Sequence, residues 1–349
     1  MIINTKKLYQ PQDAVKLAFQ AAFGAEHMLV DMAKARAMFY EEYAKDLKVA
    51  PLVEEIASDV VRVNLAAWKE ANLPAEWLFD LFVMPLQLDG MPSNIQQSSR
   101  DKLRAHESFI SHINEIEKLA ESSLLPFSYA DWKAYVRAYD ITNPTPVRHS
   151  EEYRRKERPA YRIVSGFFTR LIPVLFALRG RQSAVIGIDG KAASGKSTMA
   201  AGLARIFRAE PISMDDFFLP GELRATARLG EPGGNVHYER FAEEVIPNLR
   251  SKKVFCYRPF NCKTMDFDLP KKITPSPFMV VEGAYCHHPY FGGYLDTKVF
   301  SDITPEVQAM RLIKRNGEAI AEVFRNKWIP MEELYFGTYG IKENACLIV

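Results

Sequence analysis

The sequence has few of the features that mark a membrane protein, an extracellular protein or a nucleic-acid-binding protein. Its 349 residues include only four cysteines, and because none of them form a C-x-x-C pair, neither a zinc site nor a redox motif is indicated. The longest apolar run, Leu171 to Leu178, is far shorter than the ~20 residues that span a bilayer. A formal net charge of only +2 gives no basis for binding nucleic acid or an anionic membrane. We therefore expect a cytoplasmic protein with neither nucleic acid nor a membrane as its partner.

Neither end of the sequence carries a clear targeting signal. The opening MIINTKKLYQPQD has no apolar core, so no signal peptide is expected. The closing ACLIV places Cys346 four residues from the end, as in a prenylation box, but valine is not a usual last residue of such a box. An apolar, β-branched run of this kind is typical of a buried strand, which is the interpretation that we favour.

The length predicts two domains, and the residue pattern changes near the middle of the chain. Residues 1–145 have helical spacing of apolar positions in PQDAVKLAFQAAF, VEEIASDVVRVNLAAWKEA and SRDKLRAHESFISHINEIEKLAESS, with turn signals in LPAEW, LDGMPSN and ITNPTPV. These patterns predict an all-α N-terminal domain. The sequence leaves open whether this domain completes a binding site, mediates a homo-oligomer or binds a regulator. Residues 146–180 then combine a basic linker with an apolar connecting helix.

Residues 181–349 alternate short apolar runs with helical stretches. The runs are SAVIGID, AEPISM, FMVVEG, TKVFSDI and ACLIV, and the helical stretches include STMAAGLARIF, YERFAEEVIPNL and TPEVQAMRLIKRN. Continuous apolar strands that alternate with helices favour an α/β fold with a parallel sheet covered by helices on both faces. The last helical stretch has a clear start, with Thr304 as N-cap and Pro305 in the first turn.

The stretch GIDGKAASGKST carries the strongest local signal, a complete G-x-x-x-x-G-K-[ST] pattern between a predicted strand and a predicted helix. Glycines at these positions let backbone N–H groups curl around a phosphate, and the following helix adds the positive end of its dipole. Lys196 is expected to reach the β- and γ-phosphates of ATP, and the Ser197 hydroxyl is expected to bind Mg²⁺. The residues predicted to hold the nucleotide are Gly190, Ala193, Ser194, Gly195, Lys196, Ser197 and Thr198.

Carboxylates follow two of the predicted strands. Asp215 and Asp216 come directly after AEPISM, and Glu282 ends FMVVEG. The carboxyl ends of parallel strands line the ligand crevice of such a sheet. A carboxylate there can accept the proton of an attacking hydroxyl, a role that we assign to Asp215, or hold Mg²⁺, a role that we assign to Glu282. Which of the two aspartates is the base is left open, and Asp216 is also a candidate substrate contact.

Two arginines lie four residues apart in RLIKRN and therefore share one helix face. Arg311 and Arg315 can present their guanidinium groups to phosphate oxygens and offset the charge of a transferring phosphoryl group. A solvated, charged helix face is the alternative interpretation of the same spacing.

Four motifs, in this order and at this spacing, resemble those of the uridine kinase-like family of P-loop kinases: GIDGKAASGKST, SMDDFFLP, VVEGAY and MRLIKRN. That group includes phosphoribulokinase, pantothenate kinase and nicotinamide riboside kinase, and the resemblance covers residues 181–349 only. It implies that Asp215, which opens the D-x-F motif, is the base for the substrate hydroxyl. It also implies that Glu282 is the acid of the third sheet strand and that Arg311 and Arg315 lie on the lid helix.

The acceptor region departs from that family. Uridine kinases have Y-D-F followed by a histidine and an arginine, whereas this chain reads YRPFNCKTMDF, and the family's N-x-D-x-P-x-x-F appears as GNVHYERF. Residues in these segments and in CHHP are the candidate contacts of the acceptor, namely His237, Tyr238, Tyr257, Arg258 and His288. Satisfaction by the backbone is the alternative for each histidine.

These features predict an enzyme that transfers the γ-phosphoryl group of ATP·Mg²⁺ to an alcohol of a small molecule. A nucleoside is the first choice of acceptor, and a pantothenate-like or sugar alcohol is the second. The competing hypothesis is a nucleotide-gated module in which the helical domain responds to the state of the loop. The N-K-x-D motif of guanine-nucleotide switches is absent, since Asn326-Lys327 is followed by Trp328-Ile329.

Overall fold

The computed structural model describes residues 1–58, 60–84 and 99–349, which divide into two compact units, Met1–Thr169 and Arg170–Val349. The predicted turn in LDGMPSN lies outside the described residues. Most of the first unit is helical, as predicted. Its helices are α1 (Pro11–Phe23), α2 (Met32–Tyr43), α3 (Leu65–Glu70), α4 (Ala75–Val83), α5 (Ser99–Glu121), α6 (Tyr129–Ala138), α7 (Glu151–Glu157) and α8 (Gly166–Thr169).

The first unit also contains a three-stranded antiparallel sheet, which corrects the prediction of an all-α domain. Its strands are β1 (Val53–Ala57), β2 (Val60–Asn64) and β3 (Tyr161–Ser165), with β2 in the centre. The helical interpretation of VEEIASDVVRVNLAAWKEA is therefore wrong over its first half. All five residues of β2 are buried, including the polar residues Arg62 and Asn64, so the alternation in Val61-Arg62-Val63-Asn64 does not correspond to a solvent-exposed face. The helix begins only at Leu65, where the Asn64 side chain accepts the N–H of Ala67 at 2.8 Å.

The second unit is built on a five-stranded parallel sheet, in the order β12–β11–β4–β10–β5. The α/β architecture with a parallel sheet flanked by helices is thus confirmed. ACLIV contributes an edge strand, as expected, but this strand is not buried, since Ile348 is 54% exposed. The strands of this sheet are β4 (Ala184–Gly190), β5 (Ile212–Ser213), β10 (Phe278–Glu282), β11 (Thr297–Ser301) and β12 (Leu347–Ile348).

Helices and short hairpins surround this sheet. The chain between β5 and β10 forms an insertion that carries two antiparallel strand pairs, β6 with β9 and β7 with β8. These strands are β6 (Phe255–Tyr257), β7 (Phe260–Asn261), β8 (Asp266–Phe267) and β9 (Lys271–Ile273). The helices are α9 (Leu171–Ala177), α10 (Lys196–Phe207), α11 (Thr226–Leu229), α12 (Tyr238–Glu244), α13 (Pro305–Asn316), α14 (Glu318–Val323) and α15 (Ile329–Tyr339), with a π-helical turn at Phe324–Trp328.

The register of the sheet brings the ends of four strands to one edge. Glu282 pairs with Ser213 of β5 on one side and with Ile188 of β4 on the other, while Ser301 of β11 pairs with Gly190. All seven residues of β4 are buried, which fits a strand in the middle of a sheet covered on both faces. The carboxyl ends of these strands therefore form one polar edge on a rigid apolar base.

The helix that follows β11 starts as predicted. Thr304 accepts the N–H of Val307 with its side chain, and Pro305 occupies the first turn of α13. Within the described part of the chain, no helix is both long and apolar enough to cross a membrane.

Candidate active site

The predicted phosphate loop leaves β4 through backbone conformations that side chains disfavour. Gly190 has φ +132°, and a Cβ at this position would lie 2.2 Å from the carbonyl oxygen of Ser301. Gly195, which caps α10, has φ +97°, and Ala193 between them has φ +58°. Only glycine tolerates the first position, because the neighbouring strand leaves no room there. The loop is thus curled tightly between the end of β4 and the start of α10.

The first turn of α10 carries the lysine and the hydroxyls of the loop. Lys196 Nζ donates hydrogen bonds to the carbonyl oxygens of Gly190 at 2.8 Å and Lys191 at 3.0 Å, so its ammonium lies over the loop. Ser197 Oγ donates to Glu282 Oε2 at 3.1 Å. Thr198 is half-buried on the same turn. The carbonyl of Ser194 accepts from Arg170 at 2.9 Å, so part of the loop backbone is held from outside the motif.

Glu282 joins the ends of two strands to the loop. Its Oε1 accepts the Ser213 hydroxyl at 2.8 Å, and its Oε2 accepts the Ser197 hydroxyl. Burial, reinforced by the charge of Asp215, raises the pKa of the Glu282 carboxyl, while the hydroxyls and Lys196 act in the opposite direction. The carboxylate and the Ser197 hydroxyl together offer two oxygen ligands, which is the donor chemistry that Mg²⁺ prefers.

The magnesium prediction fits this donor set without a dedicated cage. No group of three or more histidine, cysteine, aspartate or glutamate side chains that could hold a metal occurs within the described ranges. Mg²⁺ is commonly held by one or two protein oxygens together with substrate phosphates and waters, so Ser197 and Glu282 are sufficient protein ligands.

The two neighbouring aspartates differ in their surroundings. Asp216 Oδ2 accepts the Tyr257 hydroxyl at 2.7 Å and lies 3.3 Å from Lys271 Nζ, so it is tied into the insertion. Asp215 is reached by solvent, and its carboxylate makes no hydrogen bond to another side chain among the residues that the structure describes. The surrounding protein atoms nevertheless desolvate it, and this desolvation, together with the charge of Asp216, raises its pKa.

Basic groups from two helices reach this edge of the sheet. Lys196 and Arg315 both lower the pKa of Asp215, which places their charges near its carboxylate. Arg311 donates to the carbonyl oxygens of Ala193 at 3.2 Å and Ser194 at 3.4 Å. The structure therefore brings together the loop, Asp215, Glu282 and the two arginines of α13, although Arg311 contacts loop carbonyls rather than an open space.

The predicted acceptor contacts are less uniform. Tyr257 is buried and holds Asp216, whereas the Arg258 guanidinium is exposed and donates to the carbonyls of Phe267 at 2.7 Å and Asp268 at 3.0 Å. The Arg258 side chain is thus committed to the β7–β8 hairpin. A substrate-binding role for Arg258 has no support in these contacts.

The histidines predicted as acceptor contacts also have partners within the protein. His288 Nδ1 accepts the N–H of Tyr290 at 3.2 Å, and its Nε2 lies 3.1 Å from the carbonyl of Pro232. Both of its ring nitrogens are therefore engaged, which favours the backbone-satisfied alternative. His237 caps α12 by accepting the N–H of Arg240 at 3.3 Å. Tyr238 stacks on His288, with ring centroids 4.9 Å apart.

Two buried acids near the loop were missed by the sequence analysis. Asp189 accepts the N–H groups of Gly190 at 2.7 Å and His287 at 3.0 Å, and the Tyr335 hydroxyl at 2.9 Å. Glu332 of α15 accepts the N–H of Ala192 at 2.9 Å. The position of Asp189, directly before the first glycine of the motif, was the one local signal available. Glu332 lies in a helix whose pattern gives no sign that an acid is buried.

No protein-family model matches the sequence, and no curated protein matches it either. Solved structures similar to it include a possible uridine kinase from Bacillus stearothermophilus, 19% identical, with 51% of this chain and 94% of that chain covered and a TM-score of 0.39. A candidate fructose transport system kinase from Silicibacter is 20% identical, with 50% and 95% covered and a TM-score of 0.41. At such identities and scores, the strand order and the loop geometry of this chain carry the assignment of its fold.

Proposed function

We propose that this protein is a kinase that transfers the γ-phosphoryl group of ATP·Mg²⁺ to an alcohol of a small molecule, and that a nucleoside is the acceptor. One observation carries the proposal. Glu282 connects Ser197 of the loop to Ser213, and so sets Asp215 beside the phosphate loop at the carboxyl edge of the sheet. A base next to a phosphate loop is the arrangement that phosphoryl transfer to a hydroxyl requires.

The residues take distinct roles in this proposal. The loop amides and Lys196 hold the phosphates of ATP, while Ser197 and Glu282 hold Mg²⁺, which offsets charge on the phosphates when it is bound. Asp215 takes the proton of the acceptor hydroxyl. The freed oxygen then forms a bond to the γ-phosphorus, and the bond between that phosphorus and the bridging oxygen of ADP breaks. Arg315, whose charge already acts on Asp215, steadies the transferring group.

The contacts of Asp216 favour Asp215 as the base. A base must present an acceptor oxygen toward the substrate, and Asp216 has one oxygen engaged by Tyr257 and Lys271. Asp215 is solvent-accessible and has a raised pKa, which makes its carboxylate a stronger proton acceptor than an ordinary aspartate.

The test measures ADP release from ATP·Mg²⁺ across a panel of nucleosides, vitamins and sugar alcohols, with Asp215→Asn alongside. Acceptor-dependent turnover that Asp215→Asn abolishes would support the proposal and identify the acceptor class. Tight ATP binding, slow hydrolysis and no response to any acceptor would contradict it and favour the nucleotide-gated module instead.

A further inference from the structure

The first half of the phosphate loop is held from two helices that the motif itself does not include. Glu332 of α15 accepts the N–H of Ala192 at 2.9 Å, and Gln308 of α13 donates to the carbonyl of the same residue at 3.1 Å. Glu332 is only 8% exposed and Gln308 only 5%. The peptide groups on both sides of Ala192 are therefore fixed by buried side chains.

We call the two hydrogen bonds from Glu332 and Gln308 to Ala192 the clamp. It lies next to a loop residue with a left-handed backbone conformation. Ala193, directly after the clamped residue, has φ +58° although it carries a side chain. Such a conformation is unfavourable for a residue other than glycine, and it persists only where the surroundings impose it. Glu332 and Gln308 supply that constraint on one side, and Arg311, which donates to the Ala193 carbonyl at 3.2 Å, supplies it on the other.

The Glu332 carboxylate also interacts electrostatically with charged residues of the predicted phosphate site. Burial raises the pKa of Glu332 to about 7, and the negative charges of Asp189 and Asp215 act in the same direction, while Lys196 and the N–H of Ala192 oppose them. The charged or titratable groups that face it from other elements are Lys196 on α10, Asp189 on β4, Asp215 after β5 and Tyr285 after β10. Gln308 of α13, which donates to the carbonyl oxygen of Ala192, carries no charge.

We infer that Glu332 is a positioning residue of the nucleotide site: its oxygen holds the loop in shape for phosphate, and its negative charge, when present, opposes nucleotide binding. Phosphates arriving beside a buried carboxylate favour the neutral form of that carboxyl group. Nucleotide binding is therefore coupled to proton uptake by Glu332. This inference rests on the proposed function, since it assumes that the loop binds ATP.

The neutral form keeps the structural role. A protonated carboxyl group still offers its carbonyl oxygen to the N–H of Ala192, and so does the amide of a glutamine. Glu332→Gln therefore removes the charge and retains the clamp, whereas Glu332→Ala removes both. Glu333, exposed on the same helix, provides a matched control in Glu333→Gln.

The experiment is calorimetric titration of the full chain with ATP·Mg²⁺, without acceptor, between about pH 6 and pH 8. The titration of ATP itself is common to all variants, so the ratio of the wild-type Kd to the Glu332→Gln Kd isolates Glu332. If bound phosphate raises the pKa of Glu332 by about one unit, this ratio rises about fivefold over the interval. Wild-type protein should also take up protons in paired buffers of different ionisation enthalpy, to a larger extent than Glu332→Gln.

The remaining variants separate the clamp from the charge. Glu332→Ala should bind ATP more weakly than Glu332→Gln at every pH, because both variants lack the charge and only Glu332→Gln keeps the clamp. Glu333→Gln should match wild type throughout. A Kd ratio that stays constant with pH, or a Glu332→Ala variant that binds like Glu332→Gln, would overturn the inference. Absence of ATP binding by the wild-type protein at any pH would instead contradict the proposed function. Circular dichroism of each variant identifies any that fails to fold, and Glu332→Gln, which keeps the shape of the side chain, preserves the test in that case.

Discussion

The Tyr257 hydroxyl donates a 2.7 Å hydrogen bond to Asp216 Oδ2, the oxygen that also lies 3.3 Å from Lys271 Nζ. This contact separates two aspartates that are adjacent in sequence and equivalent in the motif. One is anchored to the insertion between β5 and β10, and the other faces the crevice. Asp216 is thus tied into the local architecture, while Asp215 is the residue that we propose as the base.

Asparagine substitutions should therefore affect the two positions unequally. Asp215→Asn should lower kcat by about 10²–10⁴-fold, which is the usual contribution of a general base. Asp216→Asn should mainly weaken the contacts to Tyr257 and Lys271. Its fold-loss in kcat should be smaller than that of Asp215→Asn by about tenfold or more. Steady-state kinetics with the identified acceptor measures both. Equal losses would argue against the assignment of the base.

The pH profile provides a second view of the same pair. Because Asp215 must be ionised to accept a proton, kcat/KM should fall as the pH decreases through its pKa, which lies above the ordinary aspartate value. The negative charge of Asp216 contributes to this raised pKa. Asp216→Asn should therefore move the acidic limb of the profile to lower pH. A limb that stays in place in this variant would show that another group controls it.

Removal of the loop hydroxyl should change the dependence on magnesium. Ser197→Ala deletes one of the two proposed protein ligands and leaves Glu282 without one of its hydrogen-bond donors. Loss of a contact to a charged group costs about 1.5–3 kcal/mol, so the Mg²⁺ concentration for half-maximal turnover should rise by about tenfold or more. Ser197→Thr, which keeps the hydroxyl, is the matched control. An unchanged requirement in Ser197→Ala would remove this residue from the proposed metal site.

The start of the loop should tolerate no side chain. Gly190→Ala would combine φ +132° with a Cβ only 2.2 Å from the Ser301 carbonyl oxygen. We expect its free energy of unfolding to fall by about 2 kcal/mol or more, together with loss of ATP binding. Gly293→Ala, where a Cβ would meet nothing within 4 Å, should change stability by less than about 0.5 kcal/mol. Denaturant titration compares the two, and similar stabilities would contradict the packing argument.

The parts of the site that are contiguous in sequence could be predicted, because their signals are local. The strand, loop and helix from Ala184 to Phe207 follow from an apolar run, the glycine spacing and a helical period, and Thr304 is a standard N-cap. The acceptor contacts stay a prediction, and the side chains of Arg258 and His288 contact backbone carbonyl oxygens.

Features that depend on distant parts of the chain could not be predicted in this way. The hydrogen bond between Glu332 and Ala192 joins positions separated by 140 residues. From sequence alone, an acidic residue in a helix is expected to be exposed to solvent, so the burial of Glu332 could not be predicted. The hairpin of β1 and β2 was mistaken for a helix because each strand has only five residues, and because Arg62 of β2 is buried by a contact with the distant Gln20 that its own segment does not reveal. Tertiary contacts decide both cases.

The insertion between β5 and β10 has a consequence for how this protein can diversify. The residues proposed to hold phosphate belong to β4, α10 and the loop between them, whereas Tyr257 of β6 and Lys271 of β9 belong to strands that pair with each other and not with the central sheet. Changes in the length or sequence of these hairpins can therefore accumulate without disturbing the strand register that supports the loop. Such a layout lets descendants of one scaffold exchange their acceptors while inheriting the same phosphate-holding loop.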